Sequence, residues 1–451
     1  MDAREIGGLV DSATGYQSRR LYHDPEIYQL ELQRVFARSW LFLTHESLIA
    51  GAGDFQTALM GEDRVLVVRQ TDGSIRAFIN SCQHRGNVLC HADSGTARAF
   101  TCNYHGWSYA LDGSLAAAPL EAEVYRGQLP KAQLGLIPVP RIASYKGLVF
   151  GCFDQTAPSL TDYLGPMTWY LDTYLDAVPG GTEFLGGPMK YRVPCNWKLP
   201  AENFAGDGYH VGWTHAAALA IGARDNVVGS MRGNSEQNVV ATGGLHVATR
   251  HGHGFSLLED GYSGIALYDQ PEVMAAWLTE NRPLVRERLG DRRAQFFGSH
   301  CNLNLFPHFS ALPMGLNSFR VWHPRGPDEI EVWIWALAYR QMPAEVKAAI
   351  RHAHMKTFGI AGLLEGDDTE NVQYATDACR GYVTRSHPVY CGMALSRGGP
   401  HPELPGTVHE GAIAEIAQRN FYGFWQQLMT ASDWSALDAA PVDASLAGGN
   451  A

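Results

Sequence analysis

Cys82-Gln83-His84 and Cys102-Asn103-Tyr104-His105 constrain this chain more than any other feature. Each pair supplies one thiolate and one imidazole. Seventeen residues (85–101) separate the pairs, and each is closed by a glycine, Gly86 or Gly106. Structural zinc sites group their cysteines as C-x2–4-C and space their histidines three to five apart, a different arrangement. Two mixed pairs instead suit two β-loops that close over one cluster. In a [2Fe–2S] centre of the Rieske type, two cysteines hold one iron and two histidines hold the other. The glycines permit tight turns that aim backbone N–H groups at the sulfurs. Cys82, His84, Cys102 and His105 are therefore expected to ligate such a cluster.

The flanking sequence reads as hairpins. Residues 64–69 are a β-branched run, Asp72-Gly73 is a turn, and 75–79 return as a strand. Asp112-Gly113 is a second turn, between 107–111 and a short strand, and 148–153 form one more strand. Upstream, Asp24 is an N-cap, Pro25 fits the first helical position, and Tyr28, Leu32, Val35 and Phe36 repeat at helical spacing. Beyond residue 156 the pattern is mixed. Residues 197–219 have helical patterning, and 319–323 and Glu329–Tyr339 read as adjacent strands joined by Pro324-Arg325-Gly326-Pro327. Residues 343–357 follow as a helix with Pro343 in its first turn, and 393–406 as a long loop.

Thirty-five basic against forty-six acidic residues give a net charge of −11, and no basic run offers a surface to nucleic acid. The start, Met1-Asp2-Ala3-Arg4-Glu5, has no secretory pattern. No apolar stretch approaches the ~18 residues that cross a bilayer. The longest lie around 216–223 and 332–339, so no membrane association and a cytoplasmic location are expected. Cys90, Cys152, Cys195, Cys301, Cys379 and Cys391 show no partner pattern and read as packing, and His251 and His253 read as loop residues. No G-x-G-x-x-G follows a strand and no C-x4-C-x2-C set is present. The chain is thus expected to hold neither flavin nor NAD, and its electrons to come from another protein.

A cluster module needs only the first part of this chain, so the rest must use the electrons. Residues 196–215 are dense in ligand types, with His210 and His215 five apart. On an ideal helix these point about 140° apart. Gly206, Gly208 and Gly212 weaken the helix, so a distortion or a helix end could bring both imidazoles to one point. Two histidines and a carboxylate form the facial triad of a non-haem Fe(II) site. Asp207, Asp367 and Asp368 are the candidate carboxylates. Alone, H-x4-H is a weak signal, and the acidic run at 365–370 would be a solvated helix face. An electron-donating cluster in the same chain makes an iron acceptor the favoured reading.

Taken together, these motifs resemble those of the large α subunit of aromatic-ring-hydroxylating dioxygenases, the naphthalene, biphenyl and phenylpropionate group of Rieske non-haem iron oxygenases. The similarity runs from Phe36-Ala37-Arg38-Ser39-Trp40-Leu41-Phe42 almost to the C-terminal end. It includes Cys102-x2-His105-Gly106-Trp107, the Asn203, Asp207, His210 and His215 run, and Glu365-x-Asp367-Asp368. The resemblance implies that His210, His215 and Asp368 hold mononuclear iron. It also implies that Asp207, grouped with Asn203 in the catalytic set, bridges His105 of one chain to His210 of the next. Phe204, Val211, His300, Asn302, Leu312, Phe358 and Leu364 match substrate-binding positions. Leu364 stands where naphthalene-type members carry a larger aromatic, which should leave room for a larger or differently oriented ring system.

The implied activity is O2-dependent cis-dihydroxylation of an aromatic ring to a cis-dihydrodiol, in aromatic hydrocarbon catabolism. The implied partners are a small β subunit in an α3β3 hetero-hexamer, and a ferredoxin and NAD(P)H-dependent reductase as electron donors. No arginine stands at the matched pocket positions, which tilts the substrate towards neutral mono- or polycyclic hydrocarbons. The alternatives are a Rieske monooxygenase or demethylase, and an electron-transfer protein without oxygen chemistry. The expected architecture is α+β: an all-β Rieske domain inserted in a larger mixed α/β catalytic domain with an antiparallel sheet. The expected boundaries are 1–39 for an N-terminal helical segment packing on the catalytic domain, 40–155 for the Rieske domain, 156–440 for the catalytic iron domain and 441–451 for a flexible tail.

Overall fold

Asp72-Gly73 makes its turn with Gly73 at φ +84°, and the strands Asp63–Arg69 and Ile75–Ile79 pair antiparallel from Val65↔Ile79 to Arg69↔Ile75. In this computed structural model, which describes residues 1–217, 243–258, 268–313 and 317–438, they lie in a four-stranded sheet. Its order is Ile75–Ile79, Asp63–Arg69, Asp54–Met60, Ser94–Thr96. At the second turn Gly113 takes φ +86°, and a Cβ there would meet the Phe78 ring at 2.4 Å. That turn joins Ser108–Ala110 to Leu115–Ala117 in a three-stranded sheet with Ala99–Thr101. Arg141–Tyr145, Leu148–Cys152 and Leu41–His45 form a third sheet. Phe55, Leu66, Val68, Phe78, Phe100, Trp107 and Tyr109 are buried together with Cys82 and Cys102. These elements form one compact unit, Phe36–Leu160.

Met1–Val35 and Thr161–Ala451 form the other unit. Its frame is an antiparallel sheet that begins Thr182–Phe184, Glu329–Tyr339, Ser318–Gly326, Phe309–Leu312, Cys301–Leu305. It continues through Gly254–Leu258, Gly244–Ala248, Thr407–Glu410 and Gly399–Pro400, with Met189–Val193 also pairing along Glu329–Tyr339. The central strands are buried almost residue by residue, as strands covered on both faces must be. The helix Ala344–Phe358 packs on Glu329–Tyr339, and the helix Ile416–Thr430 packs on Gly244–Ala248 and Gly254–Leu258. Pro343 is the N-cap of Ala344–Phe358 and stands one position before its first turn. Val346, Ile350 and Ala353 are buried along one side, as their spacing predicts. Within the glycine-rich 393–406 stretch, Gly399–Pro400 is a short edge strand.

Asp24 caps the helix Pro25–Glu31, its carboxylate accepting from the Glu26 N–H at 2.9 Å. At the end of that helix Glu31 is fully buried. It accepts from Lys198 Nζ at 2.6 Å, Trp197 Nε1 at 2.9 Å and Trp425 Nε1 at 2.7 Å. Burial pulls the Lys198 ammonium down, and Glu31 opposes that. His251 and His253, expected as loop residues, lie in the connection between Gly244–Ala248 and Gly254–Leu258, and there they also do structural work. The His253 ring is buried, its Nδ1 accepting from the Phe306 N–H and its Nε2 lying 2.9 Å from the Tyr163 carbonyl. His251 Nδ1 lies 2.8 Å from the same carbonyl. No helix among the described residues is long and apolar enough to cross a membrane. The expected tail at 441–451, residues 218–219 of the helical reading and 218–223 of the apolar stretch lie outside the described residues.

Candidate metal centres

In the smaller unit the two Cys-His segments fold into the same turn. The Gly86 N–H donates to the Cys82 carbonyl at 2.9 Å, and the Cys82 N–H donates to the Asn87 carbonyl at 2.8 Å. The second segment repeats both bonds at the same lengths, Gly106 to Cys102 and Cys102 to Trp107. Gly86 and Gly106 both take φ +73°, the left-handed conformation that closes each turn. The rings of His84 and His105 sit 4.5 Å apart at 71°, and Trp107 stacks on His84 at 4.8 Å. Both sulfurs are buried and supported: Tyr109 Oη lies 3.3 Å from Cys82 Sγ, and Asn87 Nδ2 lies 3.7 Å from Cys102 Sγ. Burial opposes ionisation of Cys102, but the Tyr104 N–H and the Asn87 amide outweigh it and lower its pKa. His84 Nδ1 is buried with no hydrogen-bond partner. Two buried sulfurs with hydrogen-bond partners, and a buried imidazole nitrogen without one, suit a cluster with mixed ligands.

In the larger unit the helical stretch after Trp197 breaks. Lys198–Phe204 and Val211–Thr214 are separate helices, because Gly206 takes φ +149° and a Cβ there would lie 2.5 Å from His246 Nε2. That nitrogen lies 2.8 Å from the Gly206 carbonyl. The break makes His210 the N-cap and His215 the C-cap of a four-residue helix, so two imidazoles that an ideal helix would splay come within 5.2 Å. The carboxylate arrives from the helix Glu365–Ala378. Asp368 Oδ1 lies 3.4 Å from His210 Nε2 and 3.2 Å from His215 Nε2. Among the described residues, His210, His215 and Asp368 are the group able to hold a metal ion. A ligand at about 2.1 Å on each of three octahedral positions puts donors about 3 Å apart, so the spacing suits a facial site.

The outer nitrogens are also engaged. His210 Nδ1 faces Asp207 Oδ2 at 3.3 Å, and His215 Nδ1 faces Asp367 Oδ2 at 3.2 Å. Asp207 is fixed in turn by the Tyr209 and His210 N–H groups and by Asn203 Nδ2 at 3.4 Å. Burial opposes a charge on His210, but Asp207 and Asp368 outweigh it and push its pKa up to about 10. Asp368, buried between two imidazoles that bond it, is held far below the usual carboxylate range. Neighbouring Glu202 is pushed up by burial and by Asp207 and Glu415.

The expected pocket residues divide. Asn203 and Phe204 line a narrow cavity of about 10 Å³, room for about one water, with Trp322, Glu365 and Asp368. His300 bonds Asn302 and feels the His210 charge, and its pKa is pushed down to about 4, chiefly by burial. Leu312, Phe358 and Leu364 are buried and Val211 is half-buried, but none of them lines that cavity. The sequence reading missed Arg320. This fully buried side chain stacks between Phe204 and Phe358, its Cζ 4.5 Å from each ring, and bonds Glu365 at 2.7 Å. An arginine therefore does touch the matched pocket positions, although its charge is already paired.

Family models and relatives agree with this geometry. Residues 39–140 match the Rieske [2Fe-2S] domain, and residues 183–431 match the ring hydroxylating alpha subunit catalytic domain. The chain is 40% identical over 432 residues to the large oxygenase component of the naphthalene 1,2-dioxygenase system of Ralstonia sp, covering 95% of each chain. It is 40% identical over 441 residues to the biphenyl 2,3-dioxygenase subunit alpha of Rhodococcus jostii (strain RHA1), covering 96% of this chain and 93% of that one. A solved naphthalene 1,2-dioxygenase with indole bound in the active site superposes with a TM-score of 0.92 at 38% identity, covering 97% of each chain.

Proposed function

The chain belongs to the Rieske non-haem iron ring-hydroxylating dioxygenase α subunits, and from that premise we propose which ring it takes and which residues serve the reaction. It is the large oxygenase component of an aromatic-ring dioxygenase with a Rieske [2Fe–2S] centre and a His-His-Asp mononuclear iron site. The substrate we assign is a neutral mono- or polycyclic arene, converted to its cis-dihydrodiol. One observation carries that assignment. Arg320, the buried cation found against Phe204 and Phe358, is paired with Glu365, so among the described residues that cation is not free to hold an aryl carboxylate.

Cys82, His84, Cys102 and His105 hold the cluster, and His210, His215 and Asp368 hold the iron. When bound, these groups supply one-electron transfer and the activation of O2 that adds both oxygen atoms to adjacent ring carbons. The protein's own part is placement. Asp207 keeps His210 oriented through Nδ1 and offers its carboxylate to His105 of a neighbouring copy. Asp367 does the corresponding work on His215. Asn203 steadies Asp207. Phe204, Phe358, Leu312 and Leu364 present apolar surface, with His300 and Asn302 as the polar edge. A cytoplasmic α3β3 assembly, fed by a ferredoxin and a reductase, completes the system.

The test is an anaerobically reduced single turnover under ¹⁸O2 with one- to four-ring arenes and aryl carboxylates. We expect two labelled hydroxyls from one oxygen molecule on a neutral arene. One label would move the chain to the monooxygenases, and preference for a carboxylate would overturn the substrate assignment. Asp207→Asn in the same assay is expected to keep both metals yet form little diol. Native mass spectrometry of the co-expressed subunits reads the stoichiometry.

A further inference from the structure

Three carboxylates crowd one turn of the helix that brings Asp368 to the iron site, and each has a different occupation. Asp368 lies between the two imidazole Nε2 atoms, and Asp367 lies against His215 Nδ1. Glu365 shares the Asp368 side of the helix and the same cavity wall, yet it points at Arg320. The guanidinium is wholly buried. Its Nη1 donates to Glu365 Oε2 at 2.7 Å and its Nη2 to Ser318 Oγ at 2.7 Å. The Tyr191 hydroxyl donates to the other Glu365 oxygen. The faces of the guanidinium are covered by Phe204 and Phe358. Arg320 thus ties together the Asn203 helix, the Phe358 helix, the Ser318–Gly326 strand and the first turn of the Asp368 helix.

Released from Arg320, Glu365 would be a long carboxylate one turn from Asp368 in a low-dielectric cavity. It would either repel Asp368 or reach for the metal in its place, since a hard divalent ion takes any carboxylate within range. We infer that Arg320 is a positioning residue that selects the iron ligand: by engaging Glu365 it leaves Asp368 as the carboxylate presented to the Nε2 atoms of both histidines. This rests on the assignment of iron to His210, His215 and Asp368. It goes beyond that assignment in giving a residue that touches neither metal nor substrate a measurable effect on the metal.

The experiment uses the full assembly with its cluster in place. It compares wild type, Arg320→Met, Arg320→Lys, Glu365→Gln, the Arg320→Met/Glu365→Gln double variant and Asp368→Ala. Ferrous ion release to a chelator and the EPR spectrum of the nitric oxide adduct report the iron site. The cluster EPR signal reports that the other centre is intact. Arg320→Met is expected to lose iron roughly 10–100-fold faster, the range for outer partners of metal ligands, with a changed nitric oxide spectrum. The double variant should recover most of that loss, because the competing carboxylate is gone; such non-additivity marks coupled residues. Arg320→Lys should fall between wild type and Arg320→Met, and it carries the test alone if the methionine variant does not fold.

Wild-type release rates and spectra in both Arg320 variants would overturn the inference, as would a double variant no better than Arg320→Met. Failure of the underlying site is separately visible. If Asp368→Ala holds iron as wild type does, the ligand assignment itself falls.

Discussion

Tyr109 and Asn87 show how much of a metal site lies one atom beyond its ligands. A hydrogen bond to a cluster sulfur favours the more negative, reduced state, so removing it lowers the reduction potential. If the Tyr109 hydroxyl contributes about 1 kcal/mol of that preference, Tyr109→Phe should lower the potential by roughly 40 mV for one electron. Voltammetry of the assembled protein measures this, and an unchanged potential would mean that the 3.3 Å contact with Cys82 carries no charge-stabilising role. The same scale explains why Asp367 and Asp368 could not be told apart in the sequence. Adjacent helical positions point about 100° apart. Which one faces the Nε2 atoms and which one faces His215 Nδ1 is therefore decided by how the helix is rotated against Val211–Thr214, and no spacing rule carries that information.

Among the elements, the hairpins were readable because their causes are local: an Asp-Gly pair demands left-handed backbone, and both such turns formed where they were expected. The break in the glycine-rich helical stretch was half readable. Gly206, Gly208 and Gly212 announced weakness, but the place of the break depends on His246, a strand residue with no sequence relation to it. Glu31 was not readable at all. It sits at the end of a short amphipathic helix, where an acid is normally exposed, and its burial follows from Trp197, Lys198 and Trp425 converging on it. Removing one partner of a buried pair costs about 3–5 kcal/mol, because the other charge stays buried. Glu31→Gln is therefore expected to lower the unfolding free energy of the larger unit by that amount, read from denaturant titration of tryptophan fluorescence, with the visible spectrum of the cluster following separately. Loss of less than about 1 kcal/mol would mean that Lys198 finds another partner.

For the molecule as a whole, buried histidines set the acid limit. Burial pushes His246 and His300 down to about 4, and His253, His308 and His354 down to about 3; His323 is lowered too, again by burial first. All six lie in the larger unit. In the folded chain they stay neutral, whereas the unfolded chain protonates them below about pH 6.5. The unfolded state then binds more protons, so stability rises with pH in this window and is lost as the pH falls from about 6.5 towards 4, by at most about 1.4 kcal/mol per pH unit for each imidazole. Against a typical net stability of about 5–15 kcal/mol, unfolding of the larger unit is expected by about pH 5. Denaturant titrations between pH 7.5 and 5 measure it, and a flat profile would show that these rings acquire protons inside the fold.

The tie at Glu31 also orders events in time. Trp425 lies 394 positions further along the chain, so the larger unit cannot complete the burial of the helix Pro25–Glu31 until nearly all of its sequence has been made. The smaller unit, Phe36–Leu160, is continuous and complete long before that. Chains emerge from the ribosome N-terminal end first and domains fold as units. Synthesis therefore presents a finished cluster fold while the opening 35 residues still wait for their partner, and the seat for one metal centre exists well before the seat for the other.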